Sequence, residues 1–227
     1  RPADEILKEI ANLIKKGYRE ITLLGQNVNS YKSQFPISPP SPRLPPTLKL
    51  WRTSRRASNF QKNSKPKVIN FPQLLKMIND LPGNFKIRFI TAHPKDMTNE
   101  TIKALTLPKM NDYLHLPVQS GSDKILKLMN RHYTAAGYLR LIKKIRRVRP
   151  DIKIGTDIIV GFPTETRKDF HKTVELCEKV NFINAYIAQY SPRAGTLAAK
   201  IYKDDIPPEE KKRRWRILDN LINKKPR

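Results

Sequence analysis

The chain has 227 residues, with 45 Lys and Arg against 20 Asp and Glu, 19 Pro, one Cys and 38% hydrophobic residues, for a net charge of +25. At roughly 100–200 residues per domain this is one large domain or two small ones, long enough to bury a core, while a single thiol excludes a disulfide framework, a closed cysteine zinc site and an iron–sulfur cluster held by this chain alone. The positive potential points to a polyanionic partner, and nucleic acid is favoured over an anionic membrane because no helix pairs a basic face with a Trp/Phe/Leu face.

Residues 3–16 place Ile6, Ile10, Leu13 and Ile14 at helical spacing, with Lys15 and Lys16 in the last turn and Gly17 as the stop, which predicts an amphipathic helix. Glu20 to Leu24 is β-prone and apolar and ends at Gly25, so it reads as a buried strand entering a loop. The alternation repeats downstream. Helices are predicted at 72–80, 98–106, across 122–148 as a pair, at 166–180 and at about 207–224, the last opened by Pro207 and Pro208. Strands are predicted at 86–91, 112–116, 152–160 and 183–190. Strands separated by helices of this length mean crossover connections and a parallel sheet. The chain opens on a helix, so a parallel barrel of this kind lacks its first strand here, as in a cut through a larger domain.

Residues 32–70 break the pattern. These 39 positions hold seven Pro, six Ser, nine Lys or Arg and no acid, a composition expected to form a disordered or loosely attached insert. Within it, Trp51 with Arg52, Arg55 and Arg56 offers a stacking and phosphate-contact patch, or a solvated basic linker. The expected division is therefore 1–31 as the start of the barrel, 32–70 as the insert, 71–206 as the rest of the barrel and 207–227 as a basic helix. No apolar run approaches the about 20 residues that span a bilayer, and residues 1–20 lack the apolar core of a signal peptide. A soluble, cytoplasmic, monomeric protein is expected.

In parallel α/β folds ligands sit beyond the carboxyl ends of strands, so the loops there are the candidate sites. The first is Gly25-Gln26-Asn27-Val28-Asn29-Ser30-Tyr31, which combines a glycine with three amides able to donate and accept. The second is Ala92-His93-Pro94-Lys95-Asp96. The third is His115-Leu116-Pro117-Val118-Gln119-Ser120-Gly121-Ser122, where Ser122 is expected as a helix N-cap and Gln119 and Ser120 suit sugar hydroxyls. Asp157, between apolar residues in Asp157-Ile158-Ile159-Val160-Gly161-Phe162-Pro163, needs a hydrogen-bonding partner. Thr166 and Asp169 fit a capping box. The last loop, Tyr190-Ser191-Pro192-Arg193-Ala194-Gly195-Thr196, offers Arg193 for a carboxylate or phosphate. Cys177 sits beside Val174 and Val180 and reads as core.

Taken in this order, the five loops resemble those of the radical S-adenosylmethionine methylthiotransferases over nearly the whole chain except the insert. The first loop is closest to the branch that forms 2-methylthioadenosine from isopentenylated adenosine in tRNA; the branches acting on a ribosomal protein or on threonylcarbamoyladenosine in tRNA carry different residues there. The resemblance implies a partial (βα)6 parallel barrel that binds S-adenosylmethionine and a [4Fe–4S] cluster. It also implies a tRNA partner and methylthiolation at C2 of an N6-isopentenylated adenosine beside the anticodon. The implied chemistry is reductive cleavage of the cofactor to a deoxyadenosyl radical, hydrogen abstraction, sulfur insertion and methylation. The family's Cys-x3-Cys-x2-Cys loop, its N-terminal second-cluster domain and its C-terminal RNA-binding barrel have no counterpart in this sequence, so the chain by itself is expected to be inactive. By the same resemblance Gly25, Gln26, Asn27, Gln119, Ser120, Gly121, Asp157, Gly161, Glu165 and Arg193 are expected to contact the cofactor. The charge run Lys211, Lys212, Arg213, Arg214 and Arg216 is expected to meet nucleic acid. A non-catalytic RNA-binding module is the competing reading from another class.

Overall fold

The computed structural model describes residues 1–35, 67–90, 92–193 and 195–224. Contacts divide the chain into one unit of residues 1–89 and 98–111 and a second of residues 90–97 and 112–227. Residues 36–66, and with them the bulk of the expected insert and its Trp51 patch, lie outside the described residues.

In the first unit, helix α1 (Ala3–Lys15) carries acids in its first turn and Lys15 in its last, matching the helix dipole, and Gly17 beyond it takes φ +90°. Its buried stripe is Ala3, Leu7 and Ile10. Ile6 and Leu13, expected in the core, are half-buried. Strand β1 (Glu20–Leu23) runs parallel to β4 (Lys86–Phe89), with Ile21 opposite Ile87. Only Ile21 of β1 is fully buried, so the strand alternates and is not buried on both faces as expected. Strands β2 (Lys32–Phe35) and β3 (Lys67–Asn70) pair antiparallel, with Lys32 opposite Asn70. The two ends of the expected insert thus form a two-stranded ribbon. Asn70 then closes a capping box with Gln73 and starts helix α2 (Phe71–Asn79), whose Phe71 packs edge-on against Phe89 at 5.1 Å. Helix α3 (Asn99–Ala104), capped by Thr98, completes the unit.

The second unit is built on three parallel strands, β5 (Tyr113–His115), β6 (Lys153–Val160) and β7 (Asn184–Gln189), with β6 in the centre. Ile154, Thr156, Ile158 and Val160 of β6 are buried, whereas Asp157 and Ile159 on the opposite face are only half-buried. Helices α4 (Asp123–Leu128), α5 (Ala135–Val148) and α6 (Arg167–Val180) follow their strands as expected. The capping box of Thr166 and Asp169 is present. Cys177 is 2% exposed in the core. A short helix α7 (Leu197–Ile201), absent from the sequence expectation, precedes α8 (Pro208–Ile222). Helix α8 lies along β7: Trp215 Nε1 donates to Ile187 O (3.0 Å), Asn223 Nδ2 donates to Ala185 O (3.0 Å) and Ala185 N donates to Asn223 Oδ1 (2.9 Å). These side chains satisfy backbone groups on the outer edge of β7, which otherwise offers a pairing template. Among the described residues no helix is long and apolar enough to cross a membrane.

Candidate functional site

The loop after β5 turns on Gln119, which takes φ +66°, a left-handed conformation costly for a residue with a side chain. Its backbone is held in place on both sides, its N donating to Asp157 O (2.8 Å) and its O accepting from Ile159 N (2.9 Å). The next residues seat the loop on α6. Ser120 is fully buried with its hydroxyl 3.3 Å from Thr173 Oγ1, and Gly121 N donates to the same oxygen at 2.9 Å. A Cβ at Gly121 would lie 2.6 Å from Thr173 Cα, so this glycine is explained by close backbone approach. Ser122 stands at the N-cap of α4 but makes no cap hydrogen bond; its hydroxyl donates to Asp169 Oδ1 at 2.7 Å, contrary to the capping role expected. Burial raises the Asp169 carboxyl, but the hydrogen bonds from Thr166 and Ser122 outweigh it and bring it down to about 2.

Asp157 has the partner that its position demanded. Its Oδ1 lies 2.9 Å from His115 Nε2, His115 Nδ1 lies 2.9 Å from the Tyr113 hydroxyl, and that hydroxyl donates to Asn184 Oδ1 at 3.1 Å. The chain of polar groups crosses all three strands on the less buried face. It requires Gly155, since a Cβ there would fall 2.7 Å from Tyr113 Cζ.

The loop after β6 corrects two groups of expectations. Gly161 takes φ +70° and donates its N–H to Glu165 Oε2 at 2.7 Å. Glu165 is 1% exposed and Arg214 of α8 is 3% exposed; Arg214 Nη1 donates to Glu165 Oε2 at 2.6 Å and to Glu165 O at 2.9 Å. Glu165, expected at the cofactor, therefore faces inward onto α8. Burial pushes its carboxyl above the ordinary carboxylate range against the opposing pull of Gly161 N–H and Arg214. Lys211, 5% exposed, likewise turns in, to Asp204 (2.6 Å) and Tyr190 O (3.0 Å). Of the basic run only Lys212, Arg213 and Arg216 are exposed. Arg213 pairs with Glu210 at 2.7 Å, which with Arg214 holds that carboxyl at about 2.

Beyond the carboxyl ends of the three strands lies a cleft of about 570 Å³. Gln119 and Arg193 line it together, with Ile159 and Ala188 as its floor and Phe162, Tyr190 and Tyr202 as aromatic walls. Phe162 meets Tyr190 and Tyr202 edge-on at 5.0 and 5.9 Å. The buried Tyr190 hydroxyl has no protein partner among the described residues. Ser120, Gly121, Asp157, Gly161 and Glu165 are not among the residues lining the cleft. Arg131, which also lines it, was not signalled by the sequence, because it sits in the connection between α4 and α5 and follows no strand. In the first unit, Gly25 and Asn27 line a separate cleft of about 480 Å³ with Tyr31 and Phe71; Gln26 does not line it.

The aromatic walls, the amide of Gln119 and the unpartnered Tyr190 hydroxyl suit a nucleoside such as the adenosyl half of S-adenosylmethionine. An iron–sulfur cluster does not fit these residues. The one thiol, Cys177, is buried and pushed up to about 12 by desolvation, and among the described residues no group of three or more His, Cys, Asp or Glu is placed to hold a metal ion.

Comparison with known proteins identifies the family of the chain. The family model described as the radical SAM superfamily matches residues 1–177. A protein named tRNA-2-methylthio-N(6)-dimethylallyladenosine synthase from Thermotoga petrophila is 43% identical over 99% of this chain and 45% of its own length. The protein of the same name from Neisseria meningitidis serogroup A is 39% identical over 98% of this chain and 44% of its own. The chain thus spans a little under half the length of these relatives. Among solved structures, coproporphyrinogen III oxidase (HemN) from Escherichia coli, a radical SAM enzyme, superposes with TM-score 0.52 at 18% identity, covering 67% of this chain and 36% of that one. The cobalamin-dependent S-adenosylmethionine radical enzyme OxsB superposes with TM-score 0.51 at 11% identity, over 93% of this chain and 26% of its own. Likeness at that identity concerns the fold alone, whereas the family match covers most of the sequence: the chain belongs to the radical SAM superfamily.

Proposed function

We propose that this chain is part of a cytoplasmic tRNA methylthiotransferase that modifies N6-dimethylallyladenosine next to the anticodon. The observation that carries the reading is 43% identity, sustained over 99% of the chain, to a protein named for that reaction. The cleft beyond β5, β6 and β7 is consistent with it. Gln119 and Tyr190 supply hydrogen bonds there, Phe162 and Tyr202 supply faces for a planar base, and Arg193 stands at the rim for an anionic group. S-adenosylmethionine, when bound, supplies the radical chemistry; the side chains of this chain orient it and exclude water, so no acid–base pair is required of them. Contact with tRNA is assigned to the exposed Lys212, Arg213 and Arg216, since Lys211 and Arg214 are engaged within the fold.

The test is to splice this sequence into the Thermotoga petrophila relative in place of its matched residues and to measure 2-methylthioadenosine in cellular tRNA by mass spectrometry. Restored product supports the reading. A chimera that accumulates and binds S-adenosylmethionine yet leaves only the unmodified dimethylallyladenosine refutes it.

A further inference from the structure

Helix α5 carries five cations and no acid: Arg140, Lys143, Lys144, Arg146 and Arg147. Helical phase divides them. Tyr138, Ile142 and Ile145 are buried, and Arg146, beside that face, is held by the fold, its Nη2 donating to Val180 O at 2.6 Å at the end of α6. Arg140, Lys143, Lys144 and Arg147 follow one another at spacings of three, one and three, which puts them on the opposite face, and all four are exposed. Such a stripe works against its own helix, because its members are neighbours at three and four residues, where like charges repel. The helix dipole accounts for Arg147 in the last turn but not for Arg140 or Lys143 in the middle. Other helices balance exposed cations within a turn: Lys8 has Asp4 on α1, Lys179 has Glu175 on α6 and Arg213 has Glu210 on α8. No ion pair among the described residues reaches Arg140, Lys143 or Arg147, and Asp151, the first acid after the helix, pairs with Arg149 instead.

We infer that this face of α5 is an interface for the phosphate backbone of paired RNA. The ladder from Arg140 to Arg147 rises about 10 Å, the reach of about three successive phosphates along one strand. A single strand fits less well, because the stripe has no aromatic side chain on which an unpaired base could stack, and the one ring of the helix, Tyr138, is buried. An anionic bilayer fits less well too, since Val148 is the one large apolar side chain exposed on α5. Phosphate contacts of this kind fix register and orientation without reading bases. As a crossover between the parallel strands β5 and β6, the helix runs back from the cleft end of the sheet, so the ladder leads away from the cleft. The inference rests on the proposed function for which RNA is bound, but not for the binding of paired RNA itself.

The experiment titrates a short labelled RNA duplex without modified nucleosides, a single strand of equal length, and vesicles of phosphatidylserine and phosphatidylcholine, at several salt concentrations. Three full-length chains are compared: wild type, the variant Arg140→Gln/Lys143→Gln/Arg147→Gln, and a control, Lys16→Gln/Lys76→Gln/Lys103→Gln, which removes the same charge from exposed positions elsewhere. The stripe variant is expected to lose about 10-fold or more in duplex affinity and to flatten the log–log salt dependence by about 0.9 for each contact removed. The control is expected to lose less than about 3-fold, since surface charge acts at a distance only through a screened potential. The thermal midpoint of the stripe variant should be unchanged or raised, because repulsion along the helix has been relieved. Equal losses in the two variants assign the binding to net charge and overturn the inference. It is also overturned by a single strand bound more tightly than the duplex, by stripe-dependent binding to vesicles without binding to the duplex, by a lowered midpoint in the stripe variant, or by a wild-type chain that binds no duplex. Duplex binding through the stripe, with a chimera that makes no 2-methylthioadenosine, refutes the methylthiotransferase reading alone.

Discussion

Arg214→Ala is expected to be the most damaging single change on α8, although a basic run on a helix is ordinarily a solvated face. The guanidinium is 3% exposed and makes hydrogen bonds to Glu165 Oε2, Glu165 O and Glu210 Oε1 at 2.6, 2.9 and 2.9 Å. Truncation removes all three and leaves the Glu165 carboxylate, itself 1% exposed, without its counter-charge. Removing one partner of a buried pair costs about 3–5 kcal/mol. For a chain of this size that corresponds to a fall of about 6–20 °C in the thermal midpoint. The loss also depends on pH with a definite sign. Burial already holds the Glu165 carboxyl above its ordinary range, and removal of the cation raises it further. A carboxyl whose folded value exceeds its unfolded value stabilises the fold below the ordinary carboxylate range and loses that contribution as pH rises through the folded value. The deficit of Arg214→Ala should therefore be smaller near pH 5 than near pH 8, and a Glu165→Gln/Arg214→Met double variant should recover part of it. The assay is urea denaturation followed by far-ultraviolet circular dichroism at both pH values. A deficit below about 1 kcal/mol at pH 8, or one that grows on acidification, refutes the buried-pair reasoning.

Other changes separate structural from binding roles. Charge reversal of Lys212, Arg213 and Arg216 should weaken stem-loop binding and flatten its log–log salt dependence by about 0.7–0.9 for each phosphate no longer neutralised, read from titrations at several salt concentrations. Asp169, raised by burial but brought down to about 2 by Thr166 and Ser122, contributes about 2 kcal/mol at neutral pH; that stability is lost as pH falls from the ordinary carboxylate range toward 2, and Asp169→Asn should flatten this acid limb in thermal melts. Gly121→Ala places a methyl 2.6 Å from Thr173 Cα and should cost about 1–3 kcal/mol in denaturant titrations. Cys177, with its thiol at about 12, should resist Ellman's reagent in the native chain and react once per chain after unfolding.

What the sequence disclosed, and what it withheld, follows the range of the interactions involved. Helices α1, α2, α5 and α6 were legible because an apolar stripe and a cap are local signals, and the parallel arrangement followed from their alternation with strands. The β2 and β3 ribbon was not legible. Lys32 and Asn70 pair from either end of a Pro-rich stretch whose composition masked two four-residue strands. The partner of Asp157 and the inward turn of Glu165 were withheld for the same reason, since His115 lies 42 residues and Arg214 49 residues away in sequence.

The basic run of α8 is a different matter, because its local signal was available and was overridden by composition. Lys211, Arg214, Leu218 and Ile222 recur at spacings of three, four and four, and all four are buried on one face of the helix. That is the period of a core-facing stripe, and Leu218 and Ile222 alone mark which face it is. Lys212, Arg213 and Arg216 fall off the stripe and are the exposed ones. A long cation on a core stripe is tolerated only if its head finds an anion or a ring face. The heads of both are satisfied: the Arg214 guanidinium lies over the Phe170 ring at 5.5 Å and reaches Glu165, and the Lys211 ammonium lies over the Tyr190 ring at 5.5 Å and reaches Asp204. Helical phase, applied to charged residues as strictly as to apolar ones, therefore separates cations that hold the fold from those left exposed.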